Sequence, residues 1–300
     1  MPTELRLDTG YVTATVTLPD KLTPGRLAAI SAEVDRMLPG GWQTSTPPPH
    51  SPQIRITVTA TAGTPHVRLE EGDRVLVALP VAAVATATLA YVTYTVTERA
   101  RQQRGMVTAH AAAATDPGGR AVLLLGDKGA GKTSTLLALL AAGYRFLGDD
   151  LVVLALTAEG LDAHAGRRRC AVRDPRAVFG YETKSLVHLG DPDAPPAAPV
   201  SLVVRLSIHP DTAPVLTPVG PLSLAERLRL AENLARYITG TPTPLRVEPH
   251  TYAPVYPLDD PARAVTRATV IDRIGALGVR YLHAPTPRHA AGLIERLMPS

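Results

Sequence analysis

Along the first hundred residues apolar side chains fall on alternate positions, then at helical spacing, then on alternate positions again. Leu5, Leu7, Val12, Ala14 and Val16 alternate with polar neighbours, as strands with one buried face require. Thr23–Leu38 reads as an amphipathic helix, with Thr23 placed to cap it and Pro24 at the first helical position. Pro39-Gly40-Gly41 ends it, and Thr44–Pro52, with four prolines, reads as a loop. Strands are expected over Ile54–Thr59, His66–Leu69 and Arg74–Ala78, the last two joined by a turn at Glu71-Gly72-Asp73. Pro80 opens a long helix that reaches about Arg104 and stops at Gly105.

After Gly105 the apolar positions come in unbroken runs. Val107–Ala113, within the run Met106–Ala113, predicts one strand and Ala121–Leu125 another, with the turn Asp116-Pro117-Gly118-Gly119 between them. The second enters a glycine-rich loop and then a helix, Gly131–Ala142, closed by Gly143. Strands Tyr144–Leu147 and Leu151–Leu156 flank the acidic pair Asp149-Asp150. Strand, loop, helix, strand in this order predicts a parallel α/β layout with its ligand at the carboxyl ends of the strands. Further on, Ser201–Ile208 reads as a strand, and Ser223-Leu224-Ala225-Glu226 as a capping box that opens a helix. Two more helices are expected, from Asp260-Pro261 and from Thr286-Pro287 to Met298. The fold class is therefore α/β, with an N-terminal α+β module over residues 1–104 and an α/β domain over 105–300.

Composition narrows the classes. The 300 residues suffice for one large or two modest domains, and with aromatics at 4% the core must come from Leu, Val and Ala. A net charge of +4, with no aromatic-and-basic stripe, argues against a nucleic-acid partner. The run Arg167–Arg169 reads as a solvated loop, with an anion contact as the minority alternative. A single cysteine, Cys170, excludes an internal disulfide framework and suits a reducing compartment. Met1–Asp8 lacks the apolar stretch of a signal peptide, and Val81–Val96 is too short and too interrupted by threonine to span a bilayer. The expected location is cytoplasmic, with no membrane partner. The oligomeric state is open, a homo-oligomer included.

Only four lysines occur, Lys21, Lys128, Lys132 and Lys184, and two of them lie in one octapeptide. Gly126-Asp127-Lys128-Gly129-Ala130-Gly131-Lys132-Thr133 fits the phosphate-loop pattern G-x-x-x-x-G-K-[ST]. Its glycines let the backbone approach phosphate oxygens, and successive N–H groups make an anion site at the positive end of the next helix. Lys132 supplies charge toward the β- and γ-phosphates, the Thr133 hydroxyl ligates magnesium, and Ser134 continues the cradle. The expected ligand is ATP with Mg2+.

Asp149-Asp150 ends a strand one strand–helix unit beyond the loop, on the side that faces a nucleotide. Two adjacent carboxylates can divide the work: one holds magnesium or its water, the other accepts a proton from an attacking hydroxyl. Gly-Asp-Asp is also good turn chemistry, which is the plain alternative. His110, in an otherwise apolar strand, is by pattern a core histidine. It gains a role only if its strand adjoins the phosphate loop.

The segments His110-Ala-Ala-Ala-Ala, Val122-Leu-Leu-Leu-Gly, Gly129-Ala-Gly-Lys-Thr and Gly143-Tyr-Arg-Phe-Leu-Gly-Asp-Asp together resemble the HPr kinase/phosphorylase group. They are most similar to the smaller HPr-kinase-related kinases of bacterial biosynthetic clusters, some of which act on lasso peptides. The resemblance implies a phosphate-loop kinase core of the HPr kinase and phosphoenolpyruvate carboxykinase type. It also implies His110 as a phosphate-side or base-assisting residue, Asp150 as general base and Asp149 in the magnesium shell. It covers about 45 residues closely, His110–Leu154. Lys128 and Thr133 stand where the family usually has serine, and its glutamate and glycine signature is not recognisable in Arg167–Lys184. Those departures set HPr itself, and phosphorylase activity, apart from what the resemblance implies.

Three readings follow. The first is a kinase that moves the γ-phosphoryl group of ATP to a serine-like hydroxyl of a peptide or small molecule, with Arg167, Arg173, Arg176 or Lys184 as candidate acceptor contacts. The second is a nucleotide-gated binding protein without transferase chemistry. The third keeps the kinase fold with another phosphoryl donor, such as pyrophosphate.

Overall fold

The two-residue alternation near the N-terminus becomes a six-stranded sheet. The structure is a computed structural model. It describes residues 3–8, 12–19, 23–37, 42–43, 54–63, 66–70, 74–80, 87–166, 169–173, 184–189, 196–238, 246–247, 251–252 and 258–298. Chain contacts divide it into two units, Met1–Gly105 with Ala235–Thr266, and Met106–Leu234 with Arg267–Ser300.

In the first unit the strand order is Trp42–Gln43, Thr3–Asp8, Thr13–Leu18, Ile54–Ala60, Arg74–Leu79, His66–Glu70. Leu5 pairs with Val16 across an antiparallel hairpin, and Leu5, Val16, Ile54, Ile56, Val58, Val75, Val77 and Leu79 are all buried. The helix Pro24–Met37 starts as its sequence requires, with Thr23 Oγ1 accepting from the Arg26 N–H at 3.4 Å. A further described helix in the unit is Ala87–Gln102, within the span expected from Pro80. Residues 81–86 lie outside the described residues, as do the expected loop at 44–52 and the turn at 71–73. No helix among the described residues is long and apolar enough to cross a membrane.

The second unit holds a nine-stranded sheet, Arg145–Gly148, Ala112–Thr115, Ala121–Leu125, Ala197–Ile208, Leu161–His164, Val152–Leu156, Met106–Ala109, with Val279–Ala284 and Val215–Leu216 branching from Ala197–Ile208. The twelve-residue strand Ala197–Ile208 makes the branch possible. One edge pairs in parallel with Ala121–Leu125. The other is shared between Leu161–His164 at its start and Val279–Ala284 at its end.

The unbroken apolar runs are explained by burial on both faces. Along one strand Leu123 and Leu125 enter a core with Leu230, Leu234, Val270 and Ile274, while Val122 and Leu124 enter another with Leu136, Leu139, Ala290 and Ile294. Leu230 and Leu234 on the helix Leu224–Ala235, and Val270 and Ile274 on the helix Pro261–Leu277, cover the first face. Lys132–Ala141 and Pro287–Glu295 cover the second.

Two expectations are corrected. The layout is mixed rather than parallel, because Ala112–Thr115 is interposed antiparallel between Ala121–Leu125 and Arg145–Gly148. Those two outer strands still share a direction, as a helical crossover demands. The single strand expected over Val107–Ala113 is two, Met106–Ala109 and Ala112–Thr115, broken at His110.

Candidate functional site

Ala121–Leu125 runs through the centre of the sheet and delivers the chain to Gly126 at its carboxyl end. Two glycines of the loop are required by space. Gly126 has φ 154°, and a Cβ there would lie 2.7 Å from the Ala130 Cβ; Gly131 has φ 93°, and a side chain there would run into Ile208. The Ile208 N–H donates to the Ala130 carbonyl at 3.2 Å, tying the loop to the neighbouring strand. Asp127, Lys128 and Gly129 are exposed, Ala130 is half-buried, and Ser134 faces solvent in the first helical turn. Gly131 caps the helix Lys132–Ala141 without a side-chain bond, so no side chain of the cap competes for the amides of the first turn.

Lys132 folds back over the loop. Its ammonium donates to the Gly126 carbonyl at 2.6 Å and the Asp127 carbonyl at 3.3 Å, and lies 3.3 Å from His110 Nε2. Burial pushes its pKa below the ordinary lysine range, against the opposing pull of Asp150, Asp149 and Asp127. The next residue, Thr133, donates its hydroxyl to both carboxylate oxygens of Asp149, at 3.1 and 3.0 Å.

Asp149 is buried and Asp150 is not; the Asp150 side chain keeps 45% of its exposure. Among the described residues Asp150 is the one non-glycine with positive φ, at 69°. In extended backbone adjacent side chains point to opposite faces, and a left-handed residue breaks that alternation. Both carboxylates thereby come within electrostatic reach of Lys132. His110 Nδ1 lies 2.9 Å from Asp150 Oδ1 and 3.2 Å from the Asp150 carbonyl. An ammonium has hydrogens to give and no lone pair, so His110 Nε2 accepts from Lys132 and the ring proton sits on Nδ1, donated to Asp150.

The structure thus gathers His110, Lys132, Thr133, Asp149 and Asp150 at one end of the sheet, beside Gly126–Ala130. The strand that begins two residues after His110, Ala112–Thr115, pairs with the loop strand Ala121–Leu125.

Two neighbours had no signal in the sequence. Asn233, on the helix Leu224–Ala235, brackets the His110 backbone, accepting from its N–H at 2.8 Å and donating to its carbonyl at 3.1 Å. Arg205, paired in register with Leu125, bonds through Nε to the fully buried Glu226 at 2.8 Å, and the Tyr281 hydroxyl donates to the same carboxylate at 3.0 Å. The capping box is therefore half realised. Ser223 Oγ accepts from the Glu226 N–H at 3.2 Å, but the Glu226 carboxylate serves Arg205 and Tyr281.

Of the candidate acceptor contacts, Arg167 and Arg176 lie outside the described residues. Arg173 and Lys184 pair in a two-stranded antiparallel sheet that contains the buried, reduced Cys170. Among the described residues no group of three or more His, Cys, Asp or Glu is arranged to hold a metal ion. Thr133 and Asp149 offer hard oxygens, which fits magnesium; that ion takes one or two protein ligands and completes its shell with water and substrate phosphate.

No family model matches the chain, and no curated protein does. Among solved structures, the HPr(Ser) kinase/phosphatase from Coxiella burnetii superimposes with a TM-score of 0.27 and 23% identity, over 38% of this chain and 73% of that one. A likeness of that size carries neither an activity nor a substrate across to this chain.

Proposed function

We propose that the protein is an ATP- and magnesium-dependent phosphotransferase acting on a hydroxyl of a peptide or small molecule. The observation that carries the reading is the placement of Asp150. It is an accessible carboxylate, oriented by His110, at the same strand ends as a glycine loop with Lys132 and a Thr133–Asp149 pair.

The amides of Gly126–Thr133 hold the polyphosphate, with Asp127, Lys128, Ala130 and Ser134 contributing backbone and side-chain contacts. Lys132 exchanges its bonds to the Gly126 and Asp127 carbonyls for phosphate oxygens. Thr133 and Asp149 would hold magnesium, which would supply positive charge against the nucleotide's phosphates. Asp150 takes the proton from the acceptor hydroxyl, whose oxygen forms the new bond to the γ-phosphorus as the bond to the β–γ bridging oxygen breaks. ADP leaves with that electron pair. The sequence resemblance to HPr-kinase-related kinases supports a serine-like hydroxyl as acceptor.

The test is mass spectrometry of candidate peptides and metabolites after incubation with ATP and magnesium, looking for one added phosphate, with pyrophosphate as the alternative donor. Lys132→Ala and Asp150→Asn should each abolish transfer, while Asp150→Asn keeps nucleotide binding at neutral pH. Full activity in Asp150→Asn would remove the assigned base. ATP bound but never consumed, whatever acceptor is supplied, would favour a nucleotide-gated binding protein.

A further inference from the structure

His110 sits where the chain changes ladders. Met106–Ala109 pairs with Val152–Leu156, whereas Ala112–Thr115 pairs with Ala121–Leu125 and Arg145–Gly148. Neither ladder includes His110, so its backbone N–H and carbonyl need partners from elsewhere, and a half-buried peptide group left alone is costly.

One side chain supplies both. Asn233 Oδ1 accepts from the His110 N–H at 2.8 Å, and Asn233 Nδ2 donates to the His110 carbonyl at 3.1 Å. A carboxamide carries an acceptor and a donor on one planar group, as a peptide bond does, so it can substitute for a neighbouring strand at a single residue. Aspartate lacks the donor and alanine lacks both. The helix that bears Asn233 is fixed by Leu230 and Leu234, which are buried in the core on either side of it in sequence.

We propose that Asn233 is a positioning residue for phosphoryl transfer, holding the His110 backbone so that the imidazole spans Asp150 and Lys132. The proposal rests on the phosphotransferase reading above. Two torsions separate an imidazole from its backbone, so pinning the backbone on both sides aims the ring. Aimed, it gives Nδ1–H to the Asp150 carboxylate and takes a hydrogen from Lys132 on Nε2. Asn233 reaches the reacting atoms only through that ring.

The experiment reads the ring directly. In the full chain labelled with 15N-histidine, a long-range proton–nitrogen correlation spectrum reports which ring nitrogen carries the proton. His110→Gln identifies the signal by its loss. The wild-type His110 should show the Nδ1–H form. Asn233→Ala should move it toward the Nε2–H form that histidine prefers in water, with Asn233→Asp moving it less far. With an acceptor in hand, Asn233→Ala should lower kcat by about tenfold or more while the KM for nucleotide stays within about twofold. A wild-type tautomer together with a wild-type kcat in Asn233→Ala would overturn the proposal. If that variant does not fold, Asn233→Asp carries the same test, because it preserves shape and one of the two bonds. The tautomer needs no substrate. A shift in the spectrum from a protein that transfers phosphate to nothing would overturn the role in phosphoryl transfer and leave only the finding that Asn233 aims the His110 ring.

Discussion

The Thr133 hydroxyl donates to both oxygens of Asp149, 3.1 and 3.0 Å away, joining the first turn of the loop helix to the end of a strand sixteen residues later. A hydroxyl and a buried carboxylate in contact are two hard ligands already side by side. Under the proposed function, both side chains would hold magnesium. Asp149→Asn keeps a hydrogen-bond partner for Thr133 but removes the charge. The magnesium concentration for half-maximal nucleotide binding should then rise by about tenfold or more. A magnesium titration against a fluorescent ATP analogue measures this, and an unchanged midpoint would take Asp149 out of the metal shell.

Glu226 governs stability near the loop rather than chemistry in it. Its carboxylate is fully buried and compensates Arg205, whose side chain keeps only 12% of its exposure. Removing one member of a buried pair leaves an uncompensated charge, so Glu226→Ala should cost roughly 3–5 kcal/mol. Tyr281, whose pKa is raised by burial and then by the Glu226 bond and charge, should fall back toward the ordinary tyrosine range in the same variant. Denaturant unfolding and an ultraviolet titration of tyrosine report the two effects separately.

What could be read from the sequence, and what could not, follows from how local each cause is. Gly126, Gly131 and Lys132 were legible because steric room and loop geometry dictate those residue types within eight positions. The Thr23 cap and the Pro261 and Pro287 helix starts were legible for the same reason. Asn233 was not, because it meets His110 across 123 residues, and an apolar run cannot show where a strand changes partners. Glu226 misled in a useful way. Its spacing from Ser223 matches a capping box, but the fold sets Arg205 before it, and a charged donor is a stronger partner for a carboxylate than a backbone amide.

Asp260 makes a simpler local device, in the first unit. Its Oδ1 accepts from the Arg263 N–H at 3.1 Å, capping the helix Pro261–Leu277, and its Oδ2 accepts from Arg263 Nη1 at 2.6 Å. Partial burial raises its pKa, but the bonds from Arg263 and the charges of Arg263 and Arg99 outweigh that and hold it below the ordinary carboxylate range. A depressed acid contributes stability that is present above its unfolded pKa and is lost as pH falls through the folded value. Loss of the cap in Asp260→Ala should cost about 1 kcal/mol at neutral pH. That difference from wild type should shrink in acid, which thermal melts between neutral and acid pH will show.

Lys132 gives the opposite sign. Burial lowers the pKa of its ammonium, and Asp150 is the largest of the charges that resist. For a base whose folded pKa is depressed, the unfolded chain binds more protons between the two values, so stability rises with pH across that alkaline window. Lys132→Met should abolish this rise. Nucleotide affinity should run the other way, since only the ammonium pairs with phosphate: it holds below the depressed pKa and falls as pH climbs through it. Asp150→Asn removes the strongest opposing charge, so its affinity should begin to fall at a lower pH than that of the wild type. Nucleotide titrations from neutral to alkaline pH, on both proteins, measure the displacement. Coincident curves would mean that the Asp150 carboxylate does not act on the Lys132 ammonium, and the charge coupling that joins the acidic pair to the loop would be lost with it.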